Sequence, residues 1–196
     1  INSGKALDVT LSPDGSRAYV ADERDGLQII DVSNPSAPTL LGTIDWGRVN
    51  GVALSDDGDT AYVAADTNGL KIIDVSNPSA PILKGTRDTN GVASDVTLSS
   101  DGDTAYVTSG GLYIIDVSNP NAPAITGTIP SVSYVARRST LSPDGKTLYF
   151  GDYTSGLQII DVSNRSAPVR TATFNTSGWA DGVAVSPDGN RAYVAD

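Results

Sequence analysis

The sequence predicts an all-β propeller built from four-stranded blades. A Ser-(Pro/Asp/Ser)-Asp-Gly turn recurs every 43 or 44 residues, with its serine at Ser12, Ser55, Ser99, Ser142 and Ser186. The segment Ile-Ile-Asp-Val-Ser-Asn recurs at residues 29–34, 72–77, 114–119 and 159–164. Such a regular period indicates one supersecondary unit copied along the chain, and about 40–45 residues is the length of a four-stranded blade.

The first unit contains four predicted strands, A to D, at residues 6–12, 17–22, 27–33 and 39–44. A Ser-Pro-Asp-Gly hairpin turn, with Gly15 where a positive φ is needed, separates strands A and B. A Pro-bounded turn at residues 34–38 separates strands C and D. In strand C the adjacent Ile29 and Ile30 make both faces apolar, which suits a sheet covered on both sides. This favours a propeller over an open sandwich.

The domain organisation is a single repeat array over residues 1–196, with units that start near residues 6, 49, 93, 136 and 180. Five A–B pairs are present but only four C–D pairs, so the array has four full units and a partial fifth. A lone hairpin would leave an unpaired edge and exposed apolar faces. We therefore expect the chain to belong to a longer protein or assembly, or to self-associate by strand complementation with another chain or segment.

The composition excludes several classes of function. The formal net charge of −10 argues against binding to nucleic acid. Without histidine or cysteine, the chain has no Ser-His-Asp triad and no imidazole or thiolate metal site. No apolar run approaches the roughly 18 residues of a transmembrane helix. Catalysis would have to use carboxylate, Lys, Arg or Tyr side chains.

Three segments carry a family resemblance. "LSPDGKTLYF" at 141–150 and "LSPDGSRAYVAD" at 11–22 resemble the YVTN-type surface-layer propeller repeat. "GLQIIDVSNPSAP" at 26–38 resembles the LVIVD repeat of bacterial and archaeal surface propellers. The resemblance implies a secreted or cell-surface protein with a role in adhesion, scaffolding or recognition, and therefore an extracellular or cell-surface location.

Residues found in every unit are interpreted as structural. The strand-C aspartates could form a carboxylate ring for calcium, but turn chemistry favours caps that accept backbone N–H groups; they are Asp31, Asp74, Asp116 and Asp161. The strand-B tyrosines are interpreted as packing residues; they are Tyr19, Tyr62, Tyr106, Tyr149 and Tyr193.

Residues that occur once are the better site candidates, and many of them lie in the connections between strand D and the next strand A. These connections border the mouth of the central channel, where aromatic and arginine residues could bind a ligand or peptide. The predicted ligand-binding residues are Trp46, Arg48, Asn90, Asp95, Tyr134, Arg137, Arg138, Trp179 and Asp181. The alternative is that the two tryptophans only plug the funnel as hydrophobic caps.

The first functional expectation is a non-catalytic propeller for recognition, adhesion or assembly, with a protein or glycan ligand and no cofactor. The first alternative is a hydrolase or lactonase that uses the channel mouth with the help of calcium. The second alternative is a carbohydrate-binding lectin whose shallow pocket holds Trp46 or Trp179.

Overall fold

The computed structural model describes residues 4–130 and 136–196. The strands in this part of the chain are β1 (Ala6–Leu11), β2 (Arg17–Asp22), β3 (Gly26–Asp31), β4 (Thr39–Ile44), β5 (Gly51–Leu54), β6 (Thr60–Ala64), β7 (Leu70–Asp74), β8 (Ile82–Arg87), β9 (Ala93–Leu98), β10 (Thr104–Ser109), β11 (Gly111–Asp116), β12 (Ala124–Pro130), β13 (Ala136–Leu141), β14 (Thr147–Asp152), β15 (Gly156–Asp161), β16 (Val169–Phe174), β17 (Gly182–Val185) and β18 (Ala192–Ala195).

The strands form four antiparallel four-stranded sheets and one two-stranded hairpin. The sheet orders are β1-β2-β3-β4, β5-β6-β7-β8, β9-β10-β11-β12 and β13-β14-β15-β16, and the hairpin is β17-β18. The first strand of each unit contacts the first strand of the next, from β1 through β5, β9 and β13 to β17. Each sheet is therefore a propeller blade with its A strand innermost, which confirms the predicted fold of four blades and a partial fifth.

The A–B turn is held by a serine and an aspartate that are fixed by the repeat. In blade 1, Ser12 donates through Oγ to Asp14 Oδ1 at 2.5 Å and accepts the N–H of Arg17 at 2.9 Å. Gly15 has a φ of 70°, which an L side chain rarely adopts. These bonds close the hairpin and hold the pKa of Asp14 at about 2, because the ionised carboxylate accepts the Ser12 and Ser16 bonds.

The strand-C aspartates cap the turns that follow them, as turn chemistry predicted. Asp31 Oδ1 accepts the N–H of Ser33 at 2.9 Å and its hydroxyl at 2.6 Å. Asp74, Asp116 and Asp161 each accept the N–H of the serine two residues later at 2.9–3.1 Å. The four carboxylates serve separate blades and are accounted for by local bonds.

The core lies between successive blades. Three clusters of buried apolar side chains fill the interfaces, and Tyr19, Tyr62 and Tyr106 are among their buried members. Tyr149 is half-buried, whereas Tyr193 is 57% exposed. The packing prediction is wrong for Tyr193, because in the described residues unit 5 is only a hairpin and no blade covers it.

Strand D carries a glycine where the next blade approaches. Gly42, Gly85 and Gly127 pair with isoleucines of strand C, and a Cβ on Gly42 or Gly85 would lie 2.1 Å from a proline carbonyl oxygen in the next C–D turn. In blade 4 the corresponding residue, opposite Ile159, is Ala172. A side chain is thus excluded where a full blade follows.

Candidate functional site

Two sets of loops meet at one end of the blades. Because the four strands of a blade alternate in direction, the D–A connections and the B–C loops lie at the same end. The A–B and C–D turns lie at the opposite end. The prediction of a site at the channel mouth considered only the D–A connections, and the structure adds the B–C loops to the same surface.

A cavity of about 430 Å³ opens at this end, a size within the range of small-molecule sites. Its lining residues are Leu7, Arg48, Asn50, Asp66, Val92, Ser94, Arg137, Arg138 and Asp181. Five of them occupy one register position, the fifth residue before the serine of each A–B turn; these are Leu7, Asn50, Ser94, Arg137 and Asp181. Every unit places a different side chain at this position, so five different side chains from a repeated fold surround the cavity.

Asp66 enters the cavity because the B–C loop of blade 2 differs from those of blades 1 and 4. In those blades the loop begins at Asp22 or Asp152, whose Oδ1 accepts backbone N–H groups of the loop. Blade 2 has Ala65 at this position, and a backbone bond from Asn68 to Ala65 closes the loop at 2.8 Å. Asp66 then has a φ of 50°. Aspartate is one of the few non-glycine residues that adopt this left-handed conformation readily.

Arg48 and Asn50 surround the Asp66 carboxylate. Arg48 donates from Nε to Asn50 Oδ1 at 2.8 Å, and the same Nε lies 3.9 Å from Asp66 Oδ1. Asn50 donates from Nδ2 to the Ala93 carbonyl at 2.8 Å and approaches Asp66 Oδ1 at 3.4 Å. On its other side Arg48 lies 3.6 Å from Glu23. The carboxylate is therefore fixed beside a cation and an amide on one wall of the cavity.

Arg137 forms the opposite part of the ring, in blade 4. Its Nε lies 3.4 Å from Asp181 Oδ1, yet among the described residues this buried nitrogen has no partner with hydrogen-bond geometry. The guanidinium lies over the Tyr153 ring at 5.0 Å, and Tyr153 stacks on Trp179 with centroids 4.3 Å apart. Asp181 and Tyr153 therefore fix the Arg137 guanidinium at the cavity wall, and its Nε remains without a hydrogen-bond partner among the described residues.

Arg138 and Asp95 hold the inner strands together. Arg138 pairs with Asp8 and donates from Nη2 to the Leu7 carbonyl at 2.5 Å, which links blade 4 to blade 1. Asp95 accepts the N–H of Ser139 at 2.8 Å and its hydroxyl at 2.9 Å. Burial raises the pKa of Asp95 to about 6, although the Ser139 bonds oppose the shift. Asp95 joins blades 3 and 4 and does not line the cavity.

The predicted site residues separate into three groups. Arg48, Arg137, Arg138 and Asp181 line the cavity together. Trp46 packs against the core between blades 1 and 2, with the Lys71 ammonium 6.0 Å from its ring. The remaining residues do not line the cavity. Asp95 is buried between blades, and Asn90 donates its N–H to the Tyr113 hydroxyl. Trp179 is exposed, and Tyr134 lies outside the described residues.

Sequence reasoning missed Asp66 and Asn50. Both could have been found from the repeat alone, by comparing each unit with its siblings. Ala65 stands where three other units have an aspartate, at Asp22, Asp152 and Asp196, which marks an altered loop. Asn50 lies in the register position that differs in all five units.

The described residues contain no group of three or more acidic side chains arranged to hold a metal ion. The cavity carboxylates Asp66 and Asp181 come from different units and face arginines. They do not resemble the set of six to eight oxygen ligands that calcium takes. The calcium-assisted form of the hydrolase alternative is therefore not supported by the residues present. Within the same part of the chain, no helix has the length and hydropathy to cross a membrane.

Solved structures with the same fold include two with lactonase names. A candidate 6-phosphogluconolactonase of Bacteroides fragilis superposes with a TM-score of 0.80 at 16% identity, over 95% of this chain and 62% of its own. The periplasmic gluconolactonase PpgL of Pseudomonas aeruginosa gives 0.77 at 16% identity, over 91% of this chain and 56% of its own. The Cps50 (Swd1) β-propeller domain of Myceliophteria thermophila gives 0.73 at 14% identity, over 99% and 63%.

The chain thus spans about three fifths of the length of these structures, and at this identity the likeness establishes the fold. No curated protein matches the sequence. The family model described as the LVIVD repeat matches residues 3–45, 47–89, 90–130 and 141–176. Those four matches cover most of the chain, and the protein belongs to the LVIVD repeat family.

Proposed function

We propose that this propeller is a lactonase-type hydrolase that opens sugar lactones in the cavity at the channel mouth. The observation that carries the proposal is the cavity itself, where three arginines and two aspartates from different units converge on a space of about 430 Å³. A sugar lactone is a small polar ester that becomes an anion on hydrolysis, which suits such a lining. The names of the B. fragilis and P. aeruginosa structures support the same class of substrate.

This proposal replaces the expectation of a non-catalytic propeller for recognition, adhesion or assembly. That expectation followed from a resemblance to surface repeats, and the structural neighbours named as lactonases contradict it. They favour the hydrolase alternative, here without its calcium ion. Ester hydrolysis without a metal needs only one positioned base and a donor for the oxyanion.

Asp66 is the residue that we assign as the general base. Its side chain is 27% exposed, so water reaches it while Arg48 and Asn50 fix its orientation. In the proposed reaction the carboxylate accepts a proton from water as the water oxygen bonds to the lactone carbonyl carbon. When the ring C–O bond breaks, the proton passes from Asp66 to the ring oxygen, and the product is the open hydroxy acid.

Arg137 is the residue that we assign to the developing oxyanion. Arg137 lines the cavity and its side chain is 37% exposed, so N–H groups of the guanidinium can donate to a ligand oxygen. Stacking on Tyr153 and pairing with Asp181 keep the guanidinium in place. A preorganised donor of this type lowers the barrier for charge that appears only in the transition state.

The test is hydrolysis of glucono-δ-lactone and 6-phosphogluconolactone by the full chain, followed as proton release above the spontaneous rate. Asp66→Asn keeps the shape of the side chain and its tolerance of a positive φ but removes the base. We expect kcat to fall by at least about 100-fold, the usual contribution of a general base. Arg137→Ala should lower kcat/KM by about 100-fold, as for the loss of one oxyanion donor.

The matched control is Asp56→Asn, an exposed aspartate of the same blade in the A–B turn at the opposite end. Its kcat should stay within about twofold of the parent value, since surface changes of this type have small effects. The proposal fails if the parent chain hydrolyses neither lactone faster than buffer. It also fails if Asp66→Asn and Asp56→Asn have the same activity.

A further inference from the structure

The positive charges that line the cavity are balanced pair by pair. Three arginines line it, and each lies beside a carboxylate from a different segment of the chain. The pairs are Arg48 Nη1 with Glu23 Oε1 at 3.6 Å, Arg137 Nε with Asp181 Oδ1 at 3.4 Å, and Arg138 Nη1 with Asp8 Oδ1. Asp66 adds a further carboxylate to the cavity wall. Three guanidinium groups therefore face four carboxylates, which leaves the lining without an excess of positive charge.

Several N–H donors of these arginines are also used within the protein. Arg138 donates from Nη1 to Asp8 and from Nη2 to the Leu7 carbonyl, the second bond at 2.5 Å. Arg48 donates from Nε to Asn50 Oδ1 at 2.8 Å. The Arg137 guanidinium is assigned to the carbonyl at C1 of the lactone, whereas a phosphate at C6 would lie at the other end of the molecule. Since proteins bind phosphate by charge-assisted hydrogen bonds, such a group would meet guanidinium charges that are already compensated.

The loops around the cavity are acidic as well. The B–C loops and the D–A connections, counted strictly between the strands, contain six carboxylates and two arginines. The carboxylates are Glu23, Asp25, Asp45, Asp66, Asp88 and Asp181, and the arginines are Arg24 and Arg48. A surface with one sign of charge lowers the local concentration of ligands with the same sign. A phosphate adds about 1.5 to 2 negative charges at pH 7, so this end of the blades repels a phosphorylated sugar more strongly than an uncharged one.

We propose that the cavity selects uncharged sugar lactones and discriminates against lactones that carry a phosphate group. This inference rests on the proposed function, because it names the class of substrate that is opened between Asp66 and Arg137. A neutral lactone finds hydrogen-bond donors and acceptors for its hydroxyl groups among the paired side chains. It does so without the repulsion that a phosphate would meet from the carboxylates of the lining and the loops.

The test compares the binding of gluconate and 6-phosphogluconate to the full chain by calorimetry, since these two products differ only by the phosphate. We expect 6-phosphogluconate to bind at least about tenfold more weakly at low ionic strength. Salt at about 0.5 M should reduce the difference, because it screens the charges around an open cavity. In kinetics, kcat/KM for glucono-δ-lactone should exceed that for 6-phosphogluconolactone by at least about tenfold.

Glu23→Gln removes the carboxylate that compensates Arg48. We expect this variant to bind 6-phosphogluconate about three- to tenfold more tightly than the parent chain, while its Kd for gluconate changes less. The matched control is Asp25→Asn, which removes the same charge from the same loop at a residue that lines the groove of blade 1 instead of the cavity. Its Kd for 6-phosphogluconate should stay within about twofold of the parent value.

The inference is overturned if 6-phosphogluconate binds as tightly as gluconate, or if gluconate does not bind. It is also overturned if Glu23→Gln and Asp25→Asn change the Kd for 6-phosphogluconate equally. Hydrolysis separates the two proposals. A chain that binds gluconate more tightly but opens neither lactone would refute the lactonase and leave the charge selectivity of the cavity standing. A chain that opens 6-phosphogluconolactone faster than glucono-δ-lactone would support the lactonase and refute the selectivity.

Discussion

Asp95 should make the protein less stable as the pH rises from about 4 to about 6. Its carboxyl is buried between blades 3 and 4, near Asp8 and Arg138, and burial raises its pKa from the ordinary 3.8 to about 6. A raised carboxyl pKa means that the folded chain holds the proton more tightly than the unfolded chain. The proton on Asp95 makes its full contribution to the free energy of unfolding below pH 3.8, and that contribution is lost as the pH rises through 6.

The magnitude follows from the two pKa values. At about 1.4 kcal/mol for each pH unit, the shift from 3.8 to about 6 makes the ionised form cost about 3 kcal/mol of unfolding free energy at pH 7. Asp95→Asn is neutral at every pH and can accept the Ser139 bonds through its amide oxygen. The variant should match the parent protein near pH 4 and exceed it by about 2–3 kcal/mol at pH 7.

Urea unfolding at half-unit steps from pH 4 to 8 measures this difference. Subtracting the parent curve from the Asp95→Asn curve removes the titration of the other carboxyl groups, because both proteins contain them. Asp56→Asn, which alters an exposed aspartate, is the control for the loss of one carboxylate at the surface. Parallel stability curves for the parent and Asp95→Asn across the range would refute a raised Asp95 pKa. A parent protein that is more stable than Asp95→Asn above pH 6 would refute it as well.

Two matched pairs test how the blades pack. Gly85→Ala should lower the unfolding free energy by about 1–3 kcal/mol, because a Cβ would meet the Pro120 carbonyl at 2.1 Å. Ala172→Gly, at the same position of blade 4, should cost less than about 1 kcal/mol. Val52→Ala should cost about 2 kcal/mol, because Val52 is 5% exposed, whereas Val9→Ala should cost under about 0.5 kcal/mol at 60% exposure. Urea midpoints measure all four, and equal costs within either pair would contradict the proposed packing.

The fold was predictable because every unit repeats the same short-range hydrogen bonds in its turns. The Ser12–Asp14 turn and the Asp31 cap each form hydrogen bonds within five residues, so short sequence motifs are enough to predict them. Tyr193 was mispredicted for the opposite reason. It has the same Arg-Ala-Tyr-Val-Ala-Asp context as Tyr19, and only the absence of a covering blade in the described residues separates 57% exposure from full burial.

The site was partly predictable because it lies where the units differ. Arg48, Arg137 and Asp181 were found as residues without counterparts in the other units. Asp95 met the same criterion, yet its side chain turns to Ser139 of the next blade, and sequence does not show which side of an inner strand reaches the channel. Asp66 needed a different comparison, since its conformation follows from the loss of the aspartate cap at Ala65.

The most direct test is a crystal structure of the chain with δ-gluconolactam, an unreactive amide analogue of the lactone. The proposed function predicts the ring in the channel-mouth cavity, with its carbonyl oxygen within hydrogen-bond distance of the Arg137 guanidinium and a water between its carbonyl carbon and Asp66. Analogue bound instead in the groove of blade 1 between Ile30 and Leu40, or found nowhere in the cavity at saturating concentration, would contradict the assignment of the channel mouth as the active site.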